Sequence, residues 1–218
     1  MKAASDALLG FLAGFVITLG ACAYLSLDNK MAGALLFTVG LFAICSFRWN
    51  LFTGKVCYSI GKGPRYLVFL LIVWLANFAG AAAGGLMMRA TRLTGVVERA
   101  QELCAAKLGD GLWSVFILAV FCNVLIYIAV EGYRSIPNAA GKYLAVFFGV
   151  TVFVVCGFEH CVANMFYFTV SGMWSGEAVI FILVNTLGNA VGGLLVPALT
   201  ALSEACLRRA RDTAGTGK

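Results

Sequence analysis

Six long apolar stretches constrain this 218-residue sequence more than any other feature. A helix needs about 20 apolar residues to cross the hydrocarbon core of a bilayer. Within lipid, the backbone polar groups of a spanning segment must be satisfied by the segment itself or by protein around it. The sequence therefore predicts an all-α membrane protein in the lipid bilayer. Its six predicted transmembrane spans are 8–27, 32–60, 66–88, 112–130, 143–170 and 178–203.

The composition excludes a soluble domain and argues against a nucleic-acid partner. Hydrophobic residues make up 61% of the chain and charged residues 12%, against about 25% charged in a typical soluble protein. The net charge of +6 comes from basic residues dispersed among loops, where orientation signals belong. The first apolar stretch runs to Leu27 without a small-residue cleavage site, which indicates a retained helix.

The distribution of basic residues predicts the orientation of the chain. With a cytoplasmic N-terminus, nine of the 16 basic residues lie on the cytoplasmic side, five on the outer side and two, Arg48 and Lys55, within the second span. This bias predicts that both termini are cytoplasmic. Residues 204–218 form a basic cytoplasmic tail, and the connection 89–111 is interpreted as an amphipathic helix at the outer surface.

The second and fifth spans are longer than one crossing requires, and each carries a polar, glycine-marked interruption. The interruptions lie at 48–55 and 157–164, and the second contains His160, the only histidine of the chain. Interrupted helices at membrane depth are tolerated where the freed backbone is buried in protein or lines a cavity. The two breaks therefore predict a site inside the protein.

A glycine motif suggests an internal repeat. Asn-x-x-Gly-x-x-x-Gly-Gly occurs at 77–85 and again at 185–193, an offset of 108 residues. This offset places Phe52 opposite His160. We interpret the chain as one transmembrane domain built from two three-helix units, about 8–88 and 112–203. An odd number of spans per unit inverts the second copy and places a site near the midplane, although glycines alone are explained by close helix packing.

Several motifs resemble one family along nearly the whole chain. Residues 157–165, Gly-Phe-Glu-His-Cys-Val-Ala-Asn-Met, are similar to the fifth-helix signature of the formate/nitrite transporter family. Residues 51–54, Leu-Phe-Thr-Gly, resemble its second-helix loop, with support from Cys-Asn at 122–123 and Leu-Gly-Asn at 187–189. The resemblance implies a homopentamer of aquaporin-like protomers with an inverted 3+3 repeat and broken second and fifth helices.

The resemblance also implies a function. Each protomer is expected to pass a small monovalent anion, formate first and nitrite next, with proton linkage and without a cofactor or metal. Hydrosulfide and lactate remain alternatives within the family. Because a bare ion is costly to bury, a weak acid would cross more easily after taking up a proton. Histidine, with a reference pKa of about 6.5, is suited to that step. Channel and proton-symport behaviour both remain open.

Site residues follow from the same resemblance. His160 is implied as the central pore histidine and Thr53 as its partner. Asn123 and Asn189 are implied as amide donors along the path, and Lys107 as a residue that draws anions into the outer vestibule. The implied apolar constrictions are Leu41, Phe52 and Ile126 on the cytoplasmic side and Phe37 and Phe153 on the outer side, with Leu51 also included.

Simpler interpretations stay open for individual residues. His160 could serve as a structural histidine, and Lys107 could equally be a solvated loop charge. We expect Glu159 to act as a brace that accepts backbone N–H groups freed by the break. Arg48 and Lys55 could only snorkel or mark the cytoplasmic side.

The sequence also departs from the family pattern. Asn50 stands where family members usually carry an acidic residue, and Lys55 stands in place of asparagine, which leaves the substrate open. The chain is also short at both ends, so a family N-terminal gating segment is expected to be missing.

Two other classes of function, a membrane-embedded enzyme and a non-transporting sensor or scaffold, fit the sequence poorly. A membrane-embedded enzyme needs a second titratable group or metal ligands near His160, and apart from Glu159 the spans contain almost none. No catalytic residue is therefore predicted. A non-transporting sensor or scaffold has no need of two opposed helix breaks, and the chain offers no soluble domain to carry a signal.

Overall fold

Nine helices make up the part of the chain that the structure describes, and no strand occurs there. The structure is a computed structural model that describes the backbone of residues 1–215 and the side chains of residues 1–212. The helices are α1 Lys2–Leu25, α2 Lys30–Phe47, α3 Phe52–Val56, α4 Pro64–Arg89, α5 Thr94–Leu108, α6 Leu112–Ser135, α7 Ala139–Cys156, α8 Cys161–Ser171 and α9 Gly176–Gly215.

Six of these helices are long and apolar enough to cross a membrane, as the sequence predicts. They are α1, α2, α4, α6, α7 and α9. The helix α9 is longer than the predicted sixth span because it continues through most of the predicted basic tail. Residues 216–218 of that tail lie outside the described residues.

Each of the two long predicted spans is divided into a long and a short helix. The helix α2 ends at Phe47, and Arg48 follows in the left-handed region with φ +59°. The helix α7 ends at Cys156, and Gly157 follows with φ +72°. The non-helical links are residues 48–51 and 157–160, so the polar segment 52–55 of the first predicted interruption is helical instead.

Asn77 in α4 satisfies the backbone freed by the first break. Its side-chain oxygen accepts the Phe52 N–H at 2.8 Å. Its amide nitrogen donates to the carbonyl oxygens of Gly10 at 2.7 Å and Asn50 at 2.8 Å. Asn77 is fully buried, so one side chain ties α1, α4 and the break together.

Asn189 in α9 does the same at the second break. Its side-chain oxygen accepts the Cys161 N–H at 2.9 Å. Its amide nitrogen donates to the carbonyl oxygens of Ala119 and Glu159, both at 2.8 Å. A buried backbone group without such a partner would cost about 1–3 kcal/mol.

These contacts correct the register of the repeat. Every backbone partner of Asn189 lies 109 residues after the matching partner of Asn77, from Gly10 to Ala119 for example. The motif paired Asn77 with Asn185, one helical turn too early, and Phe52 corresponds to Cys161 rather than to His160. The error arises because Asn and Gly recur four residues apart in this motif, so a shift of one turn also matches.

Glycines bring the helices of each half into backbone contact. A Cβ atom added at Gly80 would lie 2.1 Å from the carbonyl oxygen of Phe11 in α1. A Cβ atom at Gly192 would lie 2.1 Å from the carbonyl oxygen of Val120 in α6. No side chain fits at these distances, so the close-packing interpretation of the glycine motif holds at these positions.

The helix α5 confirms the expected helix within the 89–111 connection. Its inner face buries Val96, Ala100 and Cys104, and it packs against α8 and α1. The end of α5 thereby reaches the protein interior beside the second break. This placement matters for Lys107, which lies in its last turn.

The glycine contacts lead to the first prediction. Gly80→Ala forces α1 and α4 apart and is expected to destabilise the protein by about 1–3 kcal/mol. Gly95→Ala is the matched control, because no heavy atom lies within 4 Å of the added carbon; it is expected to be neutral or slightly stabilising in helix α5. Thermal unfolding in detergent measures both, and equal melting of the two variants would contradict the contact.

Candidate functional site

The structure brings together the two residues that were predicted to face each other across the breaks. His160 ends the second link, and Thr53 lies in the first turn of α3. The Thr53 Oγ1 and the His160 Nε2 are 3.0 Å apart. Thr53 is 0% and His160 3% exposed. A direct hydrogen bond therefore joins the two breaks inside the protein.

His160 also caps helix α8. Its Nδ1 accepts the Ala163 N–H at 3.2 Å. A ring nitrogen that accepts a hydrogen bond carries no proton, so the neutral ring has its proton on Nε2. This tautomer follows from the hydrogen-bond pattern. The Nε2–H then donates to the Thr53 hydroxyl, whose own hydrogen stays available to another acceptor.

Aromatic rings border His160 on one side. The Phe153 ring stacks on the imidazole with centroids 5.8 Å apart and an interplanar angle of 18°. Phe37 meets Phe153 edge-on, with centroids also 5.8 Å apart. Both phenylalanines are buried. Of the predicted outer constriction pair, Phe153 thus lies directly against the histidine, and Phe37 lies against Phe153.

The other predicted constriction residues are buried in the same apolar core. Leu51 is the N-terminal cap of α3, and Phe52 follows it, so both adjoin Thr53 in the chain. The four residues of this group are Leu41, Leu51, Phe52 and Ile126. The two residues that precede Thr53 are therefore buried hydrocarbon side chains.

A small cavity, here called the His160 cavity, lies beside these rings. It has a volume of about 50 Å³, and its lining includes Phe37, Lys107, Phe153 and His160. A water molecule needs about 10–15 Å³ on this measure. The cavity is therefore large enough for a few waters or one small ion.

Lys107 reaches this cavity as one half of a buried ion pair. Its Nζ lies 2.7 Å and 2.5 Å from the two carboxylate oxygens of Glu159. The Lys107 side chain is 11% exposed and that of Glu159 6%. Lys107 is therefore not a solvated loop charge, and much of its positive charge is balanced by Glu159.

Glu159 braces the second break through partners other than those expected. Besides Lys107, its carboxylate accepts a hydrogen bond from the Asn164 amide at 2.7 Å. The freed backbone is held by amide side chains instead: Asn185 and Asn189 both donate to the Glu159 carbonyl oxygen at 2.8 Å. The expectation that the carboxylate accepts freed backbone N–H groups is wrong, because Asn189 Oδ1 accepts the Cys161 N–H and His160 Nδ1 accepts the Ala163 N–H.

Asn123 and Asn189 differ from the free amide donors that the resemblance implied. Asn123 donates to the backbone oxygens of Thr53 at 3.1 Å and Asn189 at 2.7 Å. Both N–H bonds of Asn189 are likewise taken by backbone oxygens. The Oδ1 of Asn123 is buried without a partner among the described residues. These amides hold the breaks in place, and only that oxygen is unsatisfied.

Sequence reasoning missed Asn77, Asn164 and Asn185 as members of this network. Asn164 donates to Asn185 Oδ1 at 2.8 Å, and both residues are buried. The available signal was the recurrence of asparagine at membrane depth, where an unpaired amide is costly. Asn77 and Asn185 entered only the repeat motif, and Asn164 entered only the family signature, so none of them was assigned a contact.

The residues that depart from the family pattern lie in the first helix break or directly after it. Asn50 is 5% exposed and donates to the backbone oxygen of Asp6 at 3.3 Å. A carboxylate at that position could not donate, which gives the asparagine a structural reason. Lys55 lies within electrostatic reach of Arg134 and Asp6, while the Arg48 backbone ends α2.

Comparisons with known proteins point to one family. A family model described as formate/nitrite transporter matches residues 1–203. The uncharacterized transporter YrhG of Bacillus subtilis is 31% identical over 215 residues, which covers 85% of this chain and 79% of that protein. The formate channel FocA of Haemophilus influenzae is 27% identical over 210 residues, which covers 77% of this chain and 71% of that protein.

Solved structures share the fold. A pentameric formate channel with formate bound superposes with a TM-score of 0.83 at 23% identity, covering 95% of this chain and 98% of that chain. An FNT family ion channel superposes with a TM-score of 0.76 at 23% identity, covering 93% of this chain and 89% of that chain. The chain therefore has the fold of these channel protomers.

The buried ion pair leads to the second prediction. Lys107→Met leaves the Glu159 carboxylate without its cation and is expected to destabilise the protein by about 3–5 kcal/mol. Lys107→Met with Glu159→Gln removes both charges and is expected to recover most of that loss. Thermal unfolding in detergent measures the variants.

An exposed ion pair provides the control. Arg208 and Glu204 form a pair with side chains 76% and 60% exposed, and Arg208→Met is expected to change stability by at most about 1 kcal/mol. A double variant, Lys107→Met with Glu159→Gln, that melts below Lys107→Met alone would argue against a charge-balancing role.

Proposed function

Because the chain belongs to the formate/nitrite transporter family, we propose that it carries the anions of small weak acids through the membrane, formate first and nitrite next. It is a membrane transport protein and not an enzyme. The observation that carries the proposal is the hydrogen bond between Thr53 and His160, beside a cavity whose lining includes Phe37 and Phe153. Hydrosulfide and lactate are the alternatives within the same class.

The apolar surroundings of Thr53 support proton linkage. An anion that leaves water for a hydrocarbon-lined passage loses several kcal/mol of hydration free energy. A weak acid avoids most of this cost when the anion binds a proton and crosses as the neutral molecule. Transport is therefore expected to rise as the external pH falls.

The hydrogen bonds of His160 favour a donor role in the resting state. A proton on Nδ1 would displace the Ala163 N–H and uncap α8. The neutral ring donates its Nε2–H to the Thr53 oxygen, which leaves the Thr53 hydroxyl hydrogen to be donated to a substrate beside it. We infer that the proton itself reaches the anion from water in the cavity, while His160 and Thr53 orient and stabilise it.

We further propose a homopentamer in a bacterial inner membrane, with both termini in the cytoplasm. A structurally similar formate channel is pentameric. Large apolar side chains cover the outside of the protomer, such as Phe148 at 65% and Leu187 at 59% exposure. Lipid and neighbouring protomers would cover them, and the excess of basic residues on the side of the termini supports the orientation.

A flux assay on purified protein in liposomes tests the proposal. Formate, nitrite, hydrosulfide and lactate are compared at neutral and acidic external pH, with protein-free liposomes as the control. Saturable flux of formate that rises in acid is expected. Absence of flux for all four anions would support a sensor or scaffold, and flux independent of pH would contradict proton linkage.

Substitutions at His160 give the third prediction. His160→Asn keeps a side-chain oxygen that can cap α8 but loses the ring N–H that donates to Thr53. The protein is expected to fold and to carry formate about tenfold more slowly at every pH, the effect of one hydrogen bond of about 1.4 kcal/mol, while flux still rises in acid because the proton comes from water. His160→Phe removes the cap as well and is expected to lose about 1 kcal/mol more stability. Flux across a pH series and thermal unfolding are measured together; unaltered flux in His160→Asn would remove His160 from the mechanism, and loss of the pH dependence would indicate that the ring itself supplies the proton.

Substitutions at Thr53 give the fourth prediction. Thr53→Val keeps the shape of the side chain but removes the hydroxyl that accepts from His160, and formate flux is expected to fall about tenfold, the effect of one hydrogen bond of about 1.4 kcal/mol. Thr53→Ser keeps the hydroxyl and is the matched control, with flux within about twofold of wild type. Equal losses in the two variants would indicate a packing role.

A further inference from the structure

Two tyrosines line the His160 cavity, and no sequence motif pointed to them. Tyr24 lies near the end of α1, and Tyr167 lies in α8 with 6% of its surface exposed. Their phenolic oxygens make no hydrogen bond with any residue that the structure describes. Two O–H donors therefore stand at the cavity wall without a protein partner.

These hydroxyls face open space. Among the described residues, the buried polar side-chain atoms that lack a partner are Asn123 Oδ1 and Thr151 Oγ1. The phenolic oxygens of Tyr24 and Tyr167 are not in that group, so neither is sealed in the protein. Since both residues line the same cavity, the hydroxyls can meet a water or a solute within it.

Because the charges beside the cavity are balanced, neutral hydrogen-bond donors become important for binding an anion. The Lys107 ammonium is directed at the Glu159 carboxylate, so it offers an anion less than a full positive charge. The Tyr167 phenol lies within electrostatic reach of both Tyr24 and Glu159. An anion in the cavity therefore depends on hydrogen bonds to replace its lost hydration.

Tyr24 also stands between the cavity and the protein surface. Together with Leu103 it lines a second, more open pocket of about 490 Å³, whose wall includes Asp28, Lys30 and Arg99. The two pockets share these two residues. A solute that moves from the open pocket toward His160 would pass Tyr24 and Leu103.

Resting on the proposed function, we propose that the hydroxyls of Tyr24 and Tyr167 form a hydrogen-bonding subsite that selects small oxyanions, carboxylate or nitrite, over hydrosulfide. An oxyanion has two oxygens that can accept from two phenols at once. Sulfur is a weak acceptor, so hydrosulfide gains little from the same donors. The subsite replaces water around the anion before it reaches Phe153 and His160.

Phenylalanine substitutions test the subsite, because they remove each hydroxyl and keep the ring. Tyr24→Phe, Tyr167→Phe and the double variant are reconstituted in liposomes, and initial rates are measured for formate, nitrite and hydrosulfide well below saturation. Tyr143→Phe is the matched control, since Tyr143 is 43% exposed and lies in α7 outside the cavity. Size-exclusion chromatography checks that each variant assembles as wild type does.

The double variant is expected to carry formate and nitrite about tenfold more slowly, the effect of about 1.4 kcal/mol of lost hydrogen bonding, with hydrosulfide and Tyr143→Phe unchanged within about twofold. Unchanged oxyanion rates, or equal losses for all three anions, would overturn the subsite. Absence of flux in the wild-type protein would instead overturn the proposed function.

Discussion

The backbone of a chain in a membrane must find its hydrogen-bond partners inside the protein, and the two helix breaks depend on how this protein meets that requirement. Asn77 and Asn189 each use one acceptor and two donor hydrogens to bind a break to two other segments. Because the partners match residue by residue, the same solution is used twice. The breaks are thus fixed parts of the fold, which allows them to carry functional side chains.

The functional site is assembled from these fixed backbone positions. Thr53 and His160 come from different halves of the chain, and their side chains meet at 3.0 Å. Each is positioned by the helix break beside it. The Phe153 ring and the ion pair of Lys107 with Glu159 adjoin the histidine. The candidate site therefore combines neutral donors and a balanced ion pair with apolar neighbours, and on this combination the proposal of proton-linked transport depends.

The sequence predicted the spans and interruptions at 48–55 and 157–164, because hydropathy and glycine placement are local signals, and the true links are the first four residues of each. The pairing of Thr53 with His160 followed from the family resemblance, because its motifs are long. The alignment of the repeat failed by one turn because the Asn and Gly pattern matches in two registers. The partner of Lys107 was missed because Glu159 lies 52 residues away in the sequence. No repeating sequence pattern links helix α5, which carries Lys107, to the second break, which carries Glu159. The structural use of Asn123 was missed for the same reason: its partners are backbone atoms of distant segments.

His160 makes two contacts at once, one from Nε2 to the Thr53 hydroxyl and one from Nδ1 to the N–H of Ala163, which caps α8. A replacement must therefore satisfy both the folding of a helix and the chemistry of a passage, and few side chains do both. Substrate preference can diverge more readily at side chains around the ring than at the ring itself. In evolutionary terms, the centre of the site is the part least free to vary, and new specificities should arise from its walls.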